Sequence, residues 1–260
     1  MHDDDLALAL ELADTADSIS MRYFQEQDLR HEKKPDGTFV TEGDQEVERA
    51  IRALISQRRP DDSILGEEFG TEGDSRRQWI IDPIDGTAHF MRGAPVWATL
   101  IALAIDGRPV VGVCSSPAFG KRWWAAEGGG AWTNPDSPER LEVSRVASLE
   151  DSAISYNSVQ GWDLVGRLDA LIDLQRHVWR ARSYGDAWSY MLLAEGSVDA
   201  VAEFDLKPYD MAALVPIVTE AGGTFTSAEG RPGPWHGSAV ATNSLLHDEL
   251  LQRIQGDNHA

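Results

Sequence analysis

The stretch Trp79-Ile80-Ile81-Asp82-Pro83-Ile84-Asp85-Gly86-Thr87 limits the fold more than any other part of the chain. Its unbroken apolar start reads as a strand buried on both faces, which requires covering layers on each side of its sheet. Pro83 cannot donate to a ladder and is expected to stop this strand after Asp82. Two aspartates, three residues apart, then leave a buried strand end across a stiff turn. Gly86 and Thr87 follow at an expected helix start, where backbone N–H groups form an anion site. A hard cation such as Mg²⁺ takes oxygen ligands in near-octahedral geometry and keeps several waters. A cation site beside an anion site suits a phosphate ester. Taken alone, Asp82 and Asp85 equally suit Asx-turns.

The rest of the chain supplies the layers. Leu6, Leu10, Ala13 and Ala16 make a helical stripe running to Phe24, and Lys34 to Gly37 reads as a turn. Thr41 reads as an N-cap with Asp44 three residues on; Val47, Ile51 and Leu54 form the buried face of that helix. Ser63 to Gly66 is a short strand. Ala98–Ile105, Val110–Cys114 and Arg122–Ala126 read as an antiparallel meander turned at Asp106-Gly107 and Gly128 to Gly130. From about Ser144, strands at 153–155, 178–180, 198–202 and 223–227 alternate with helices at 165–174, 187–195 and 211–220. That alternation predicts βαβ units on a second sheet. Pro216 should kink the last of these helices, and Gly222-Gly223 should close it. We expect a layered α/β structure, one compact unit over residues 1–260. Its halves are 1–143, with the antiparallel sheet, and 144–260.

The charge balance narrows the partners. There are 43 Asp and Glu against 23 Lys and Arg, a net charge of −20. That balance argues against nucleic acid or an anionic membrane as a partner, since phosphate backbones need a basic patch, but not against a small phosphate ester held through metal ions. Cys114 is the sole cysteine and has no internal partner, which fits a reducing cytoplasm. The acidic start at Asp3-Asp4-Asp5 is unlike a signal peptide, and the apolar run from Trp97 to Ile105 is too short to span a membrane. Most of the nine tryptophans read as core.

Two further acidic points sit at strand ends: Glu67-Glu68 after Gly66, and Asp210 after Lys207-Pro208-Tyr209. Each has a plainer reading. Glu67-Glu68 suits a solvated loop, Asp210 an N-cap, and Asp44 a capping partner for Thr41. Taken in order, Val40-Thr41-Glu42-Gly43-Asp44, Gly66-Glu67-Glu68, Asp82 to Thr87, and Asp210-Met-Ala-Ala with Glu220-Ala-Gly-Gly223 resemble the inositol monophosphatase superfamily of metal-dependent phosphatases.

The resemblance implies an αβαβα sandwich with most metal ligands in the first half, and a homodimer. It implies two or three Mg²⁺ ions: the first on Glu67, Asp82 and the carbonyl of Ile84, the second on Asp82, Asp85 and Asp210. Asp44 with Glu67 would place a third. Thr87 and Asp44 would orient and deprotonate the attacking water, and the amides of Gly86 and Thr87 would hold phosphate. Tyr209 departs from the family's usual Trp, and Ala88-His89 from its polar pair. His89 reads as packing or a surface hydrogen bond.

Substrate choice falls to residues around the leaving alcohol. Arg182-Ser-Tyr-Gly-Asp186, followed by Tyr190, resembles the histidinol-phosphate phosphatases of this superfamily. An acidic Asp186 would pair with a cationic amino alcohol and gain nothing from a neutral polyol. Asp186 also suits a helix N-cap, and Arg182 either substrate or a nearby carboxylate. Glu203, by resemblance, contacts the alcohol. The expected activity is Mg²⁺-dependent hydrolysis of L-histidinol phosphate. The alternatives are an inositol-1-phosphate or broader phosphatase and, in another class, a non-catalytic acidic protein that binds divalent cations.

Overall fold

The structure, a computed structural model, describes residues 2–24, 30–34, 37 and 39–256. In chain order its first half comprises α1 (Asp3–Phe24), β1 (His31–Lys33), β2 (Phe39–Thr41), α2 (Glu42–Arg58), β3 (Ser63–Gly66), β4 (Gly70–Glu72), β5 (Arg77–Asp85), α3 (Thr87–Phe90), β6 (Ala98–Ile105), β7 (Arg108–Ser116), β8 (Lys121–Ala126), β9 (Ala131–Thr133) and β10 (Glu139–Arg140). The second comprises β11 (Ala153–Tyr156), α4 (Val159–Leu164), α5 (Leu168–His177), β12 (Arg180–Arg182), α6 (Asp186–Ala194), β13 (Ala200–Phe204), α7 (Pro208–Met211), α8 (Leu214–Glu220), β14 (Thr224–Thr226), β15 (Ser238–Thr242) and α9 (His247–Gln255).

Strand alternation builds five layers. The larger sheet runs β10-β9-β8-β7-β6-β5-β3-β4, and the smaller runs β12-β11-β13-β15-β14. On β5, Trp79 and Ile81 face α1 and α2, joining Leu8, Leu12, Val47, Ile51 and Ile55 in one cluster. Ile80 faces the opposite way, into a cluster with Met191 and Leu193 of α6 and Ile217 of α8. That cluster also contains Val201 and Ala241 from the smaller sheet. Beyond it, Ile154, Ala202 and Val240 pack under Trp162, Leu171, Leu250 and Ile254 of α4, α5 and α9. The order is therefore helix, sheet, helix, sheet, helix, the αβαβα arrangement. Gly112 shows how closely the central layer sits: a Cβ there would lie 2.2 Å from the Ala213 carbonyl oxygen. Only glycine permits that approach.

Several expectations change in detail. Pro83 does not stop the strand. β5 continues to Asp85, and its register against β6 shifts between Asp82 and Asp85. A bulge removes the need for a Pro83 N–H, while its carbonyl accepts a bond from Thr99 Oγ1 at 2.8 Å. The second sheet is mixed: β11 pairs in parallel with β12 and β13, but β15 is antiparallel to both β13 and β14. β15, α4 and α9 were not anticipated, and the helix expected at 165–174 lies three residues later, as α5. Ile55, rather than Leu54, completes the buried face of α2. The helix expected at 211–220 is broken between α7 and α8. Pro216 lacks the N–H that would bond the Ala212 carbonyl, so the interruption falls one turn before it. Gly222, at φ +93°, follows the Ala221 cap as expected. Five of nine tryptophans are buried, at 79, 97, 123, 124 and 162. Of the predicted turn, Gly37 N–H donates to the Lys34 carbonyl at 2.9 Å, whereas Pro35 and Asp36 lie outside the described residues.

Candidate active site

The bulged end of β5 places the first group of side chains. Asp82 is buried, and its Oδ1 accepts the Ile84 N–H at 3.1 Å, an Asx-type contact that stiffens the turn. The Ile84 carbonyl accepts from Thr87 Oγ1 at 3.0 Å. Gly86, at φ +85°, caps the short α3. A Cβ there would lie 2.9 Å from the Val96 carbonyl oxygen and 3.1 Å from Asp186 Oδ2. Glycine is required on both grounds, since the left-handed region penalises other residues.

Asp44 joins this group from α2. It is fully buried and completes the capping box: the Thr41 N–H reaches its Oδ2 at 2.8 Å. Its other oxygen, Oδ1, accepts from Thr87 Oγ1 at 3.2 Å. The capping reading and the site reading of Asp44 therefore both hold. Asp210 is not the N-cap of α7. It sits three residues in, and its Oδ2 accepts the N–H of Lys207, the capping residue, at 2.7 Å. Glu67 and Glu68 do not form a free loop: Lys34 Nζ bridges them at 2.9 and 2.8 Å. Lys34 read only as the start of a turn, and nothing in the sequence ties it to Glu67.

These acids strain one another electrostatically. Burial first, then the charges of Glu67, Asp85, Asp210 and Asp44, push Asp82 well above the usual carboxylate range. Desolvation and the Asp186 charge do the same to Asp85. Burial raises Asp44 to about 6, and burial with the Glu67 charge raises Asp210 to about 7. Such crowding is costly unless a cation neutralises it. The donors are all oxygen: carboxylates of Glu67, Asp82, Asp85 and Asp210 with the Ile84 carbonyl. That set fits a hard divalent ion. Among the described residues, no three His, Cys, Asp or Glu side chains already close around one point. The acids turn instead to the nearest donors, Asp85 to Ala187 N–H at 2.7 Å, Asp210 to Lys207 and Glu67 to Lys34.

A cavity of about 460 Å³ opens from this group into the second half of the chain. Asp85, Asn157, Asp186, Tyr190, Glu203 and Asp210 are among its lining residues. Asp186 is not the N-cap of α6. Gly185 takes that position, and Asp186 is the first helical residue, held at φ +47°. That conformation costs a non-glycine residue about 1 kcal/mol. Asp85 does the capping in its place, through Ala187 N–H. Asn157 ties the wall together: its Oδ1 accepts the Asp186 N–H at 3.2 Å, and its Nδ2 donates to Glu203. Tyr190 also donates to Glu203, at 2.9 Å. Burial pushes Glu203 up to about 8. Sequence reasoning missed Asn157 because no local pattern marks it. Arg182 is exposed on β12; its Nη1 donates to the Ala181 carbonyl at 2.7 Å, and it does not line the cavity.

Comparisons with known proteins agree with this geometry. The sequence matches the inositol monophosphatase family over residues 1–258. It is 56% identical over 254 residues to the histidinol-phosphatase of Streptomyces coelicolor, covering 95% of this chain and 96% of the relative. It is 52% identical over 257 residues to the histidinol-phosphatase of Mycobacterium tuberculosis, covering 98% and 99%. Among solved structures, the Thermotoga maritima IMPase superposes with a TM-score of 0.87 at 32% identity, covering 97% of each chain. With a phosphatase-type carboxylate group at the end of β5 and agreement across nearly its whole length, the chain belongs to the inositol monophosphatase family.

Proposed function

We propose that the protein is a Mg²⁺-dependent phosphomonoesterase that hydrolyses L-histidinol phosphate to L-histidinol and inorganic phosphate. The observation that carries this reading is the shared cavity: Asp186 and Glu203 line the space into which Asp85 and Asp210 also face. A carboxylate-rich wall beside a carboxylate-rich metal group favours an ester whose alcohol is cationic. The names of the two histidinol-phosphatases above support the same substrate. A neutral polyol would offer Asp186 no charge to pair with.

In this reading Glu67, Asp82, the Ile84 carbonyl, Asp85 and Asp210 hold two Mg²⁺ ions, and Asp44 with Glu67 helps place a third. When bound, the ions supply the positive charge that makes water a nucleophile near neutral pH and offsets the phosphate dianion. The chain's own groups do the rest. Thr87 Oγ1 has both Asp44 Oδ1 and the Ile84 carbonyl in reach of its one proton; turned to Asp44, it leaves a lone pair to accept a proton from the attacking water while Asp44 takes the hydroxyl's own. The Ile84 carbonyl fixes the rotamer of Thr87. The amides of Gly86 and Thr87, at the start of α3, orient the phosphate oxygens. Asp186 and Glu203 receive the alcohol. Arg182 could act there only after leaving its Ala181 carbonyl.

The wider reading follows from the same chemistry. We place the enzyme in histidine biosynthesis and in the cytoplasm, where the buried Cys114 stays reduced. No helix among the described residues is long and apolar enough to cross a membrane. We treat residues 1–260 as one unit, with halves at 1–143 and 144–260, because one cluster takes residues from both sheets. The homodimer rests on the family resemblance alone. The test is phosphate release from histidinol phosphate before and after chelation, with Mg²⁺ added back. Rapid release restored by Mg²⁺ is expected. A protein that binds Mg²⁺ and releases no phosphate from any ester would instead be the non-catalytic cation binder.

A further inference from the structure

The Asp186 carboxylate has one oxygen that the cavity does not use. Its Oδ2 is buried and accepts no hydrogen bond. The exposed part of the side chain therefore lies elsewhere on the group, toward the cavity that Asp186 lines. Oδ2 points back against Gly86, close to where a Cβ of residue 86 would sit. It also faces one imidazole nitrogen: His89 Nε2, in α3, stands 3.5 Å away. The side chain of His89 is 48% exposed, and its Nε2 lies near the Gly185 backbone as well. The other charged groups acting on Asp186 are acidic: Asp85 at the end of β5, Glu203 in β13 and Asp210 in α7. Asn157 holds the Asp186 backbone through its N–H. Asn157 also bonds to the carboxylate itself, but its rear oxygen, Oδ2, is left without a hydrogen bond.

The arrangement is suited to orientation. A carboxylate with one oxygen unheld is free to turn about its side-chain torsion. An imidazole nitrogen at its rear oxygen opposes that turn and leaves the front oxygen for a ligand. Because α3 begins at the phosphate-orienting amides, the contact also ties the alcohol wall to the phosphate end. We propose that His89 is a positioning residue for substrate selection: through Oδ2 it fixes the Asp186 carboxylate so that the enzyme distinguishes a cationic from a neutral alcohol. The proposal rests on the reading of Asp186 as the group that meets the substrate's cationic end. It goes beyond that reading by assigning a role to a residue that touches neither phosphate nor alcohol.

The test compares the wild type, His89→Ala, Asp186→Asn and the double variant, each with saturating Mg²⁺, on histidinol phosphate and on inositol 1-phosphate. Removing His89 should lower kcat/KM for histidinol phosphate by roughly 5–15-fold, mainly through KM, with a much smaller change on inositol 1-phosphate. His89→Ala should add almost nothing in the Asp186→Asn background, because the two groups act as a unit. The thermal midpoint serves as a control, since a half-exposed histidine contributes little to the core. Equal losses on both esters would overturn the proposal, placing His89 with the phosphate or the fold. No loss from His89→Ala, alongside a selective loss from Asp186→Asn, would also overturn it while sparing the Asp186 reading. An unselective Asp186→Asn would remove both.

Discussion

The two walls of the active site are built in opposite ways. At the end of β5 and the helix starts beside it most of the stabilising contacts are local, apart from Thr87 to Asp44 across 43 residues and Lys34 to Glu67 across 33. Asp82 reaches two residues ahead to Ile84, Thr87 three back to Ile84, Thr41 three ahead to Asp44, and Lys207 three ahead to Asp210. On the alcohol side they are distant. Asn157 reaches Glu203 across 46 residues, Asp186 reaches Asn157 across 29, and Ala187 reaches Asp85 across 102. Local contacts leave a fixed spacing in the sequence, and long-range contacts leave none. The chemical wall is thus written as short motifs, and the selective wall emerges only after both sheets have packed. The difference also separates their functions: one wall can be retained while the other is remade for another alcohol.

The sharpest way to break this comparison is at Asp82. Asp82→Asn keeps the shape but removes a charge assigned to two ions. Turnover should fall by at least roughly 10³-fold on every phosphomonoester, measured as phosphate release with saturating Mg²⁺. The same change should raise the thermal midpoint in chelator, because it relieves repulsion from Glu67, Asp85, Asp210 and Asp44. Next in size is Thr87→Val, with an expected loss of about 10²–10³-fold in kcat and little movement in KM. A loss mainly in KM would make Thr87 a phosphate ligand alone. Neither variant should change the preference among alcohols.

The selective wall should respond in the opposite sense. Asp186→Asn is expected to lower kcat/KM for histidinol phosphate by roughly 10–150-fold and to affect inositol 1-phosphate much less. Stability should hardly move, since Asp186 is not the cap of α6. The smallest effect is expected from Tyr190→Phe, which removes the donor to Glu203: about 2- to 10-fold, again mainly on the cationic ester. If Tyr190→Phe instead reduced both esters equally, Glu203 would serve the phosphate end, and the two walls would not be separable.

Legibility followed the same division. β3, the β6–β8 meander and the Thr41–Asp44 box were readable because period, turn residues and caps are local signals, whereas the αβαβα order was implied by the family resemblance. Pro83 misled because a proline rule written for regular ladders does not anticipate a bulge, and the bulge depends on β6 alongside. Asp186 read as a cap from its place before a helix, yet Asp85, from the other sheet, takes that bond. Asn157 and Lys34 are unremarkable in sequence. They matter through Glu203 and Glu67, which only the fold brings to them. Arg182 sits in the same short stretch as Asp186, but β12 and α6 diverge after it and carry the two side chains to different places.

The central claim is that a shared metal-dependent centre is turned toward a cationic alcohol by the second half of the chain. Its most direct test is the ratio of kcat/KM for histidinol phosphate to that for inositol 1-phosphate, measured with Mg²⁺ in the wild type and in Asp186→Asn. The account predicts a large ratio in favour of histidinol phosphate that falls by at least about tenfold in the variant. A ratio near one, or a large ratio that survives Asp186→Asn unchanged, would contradict it.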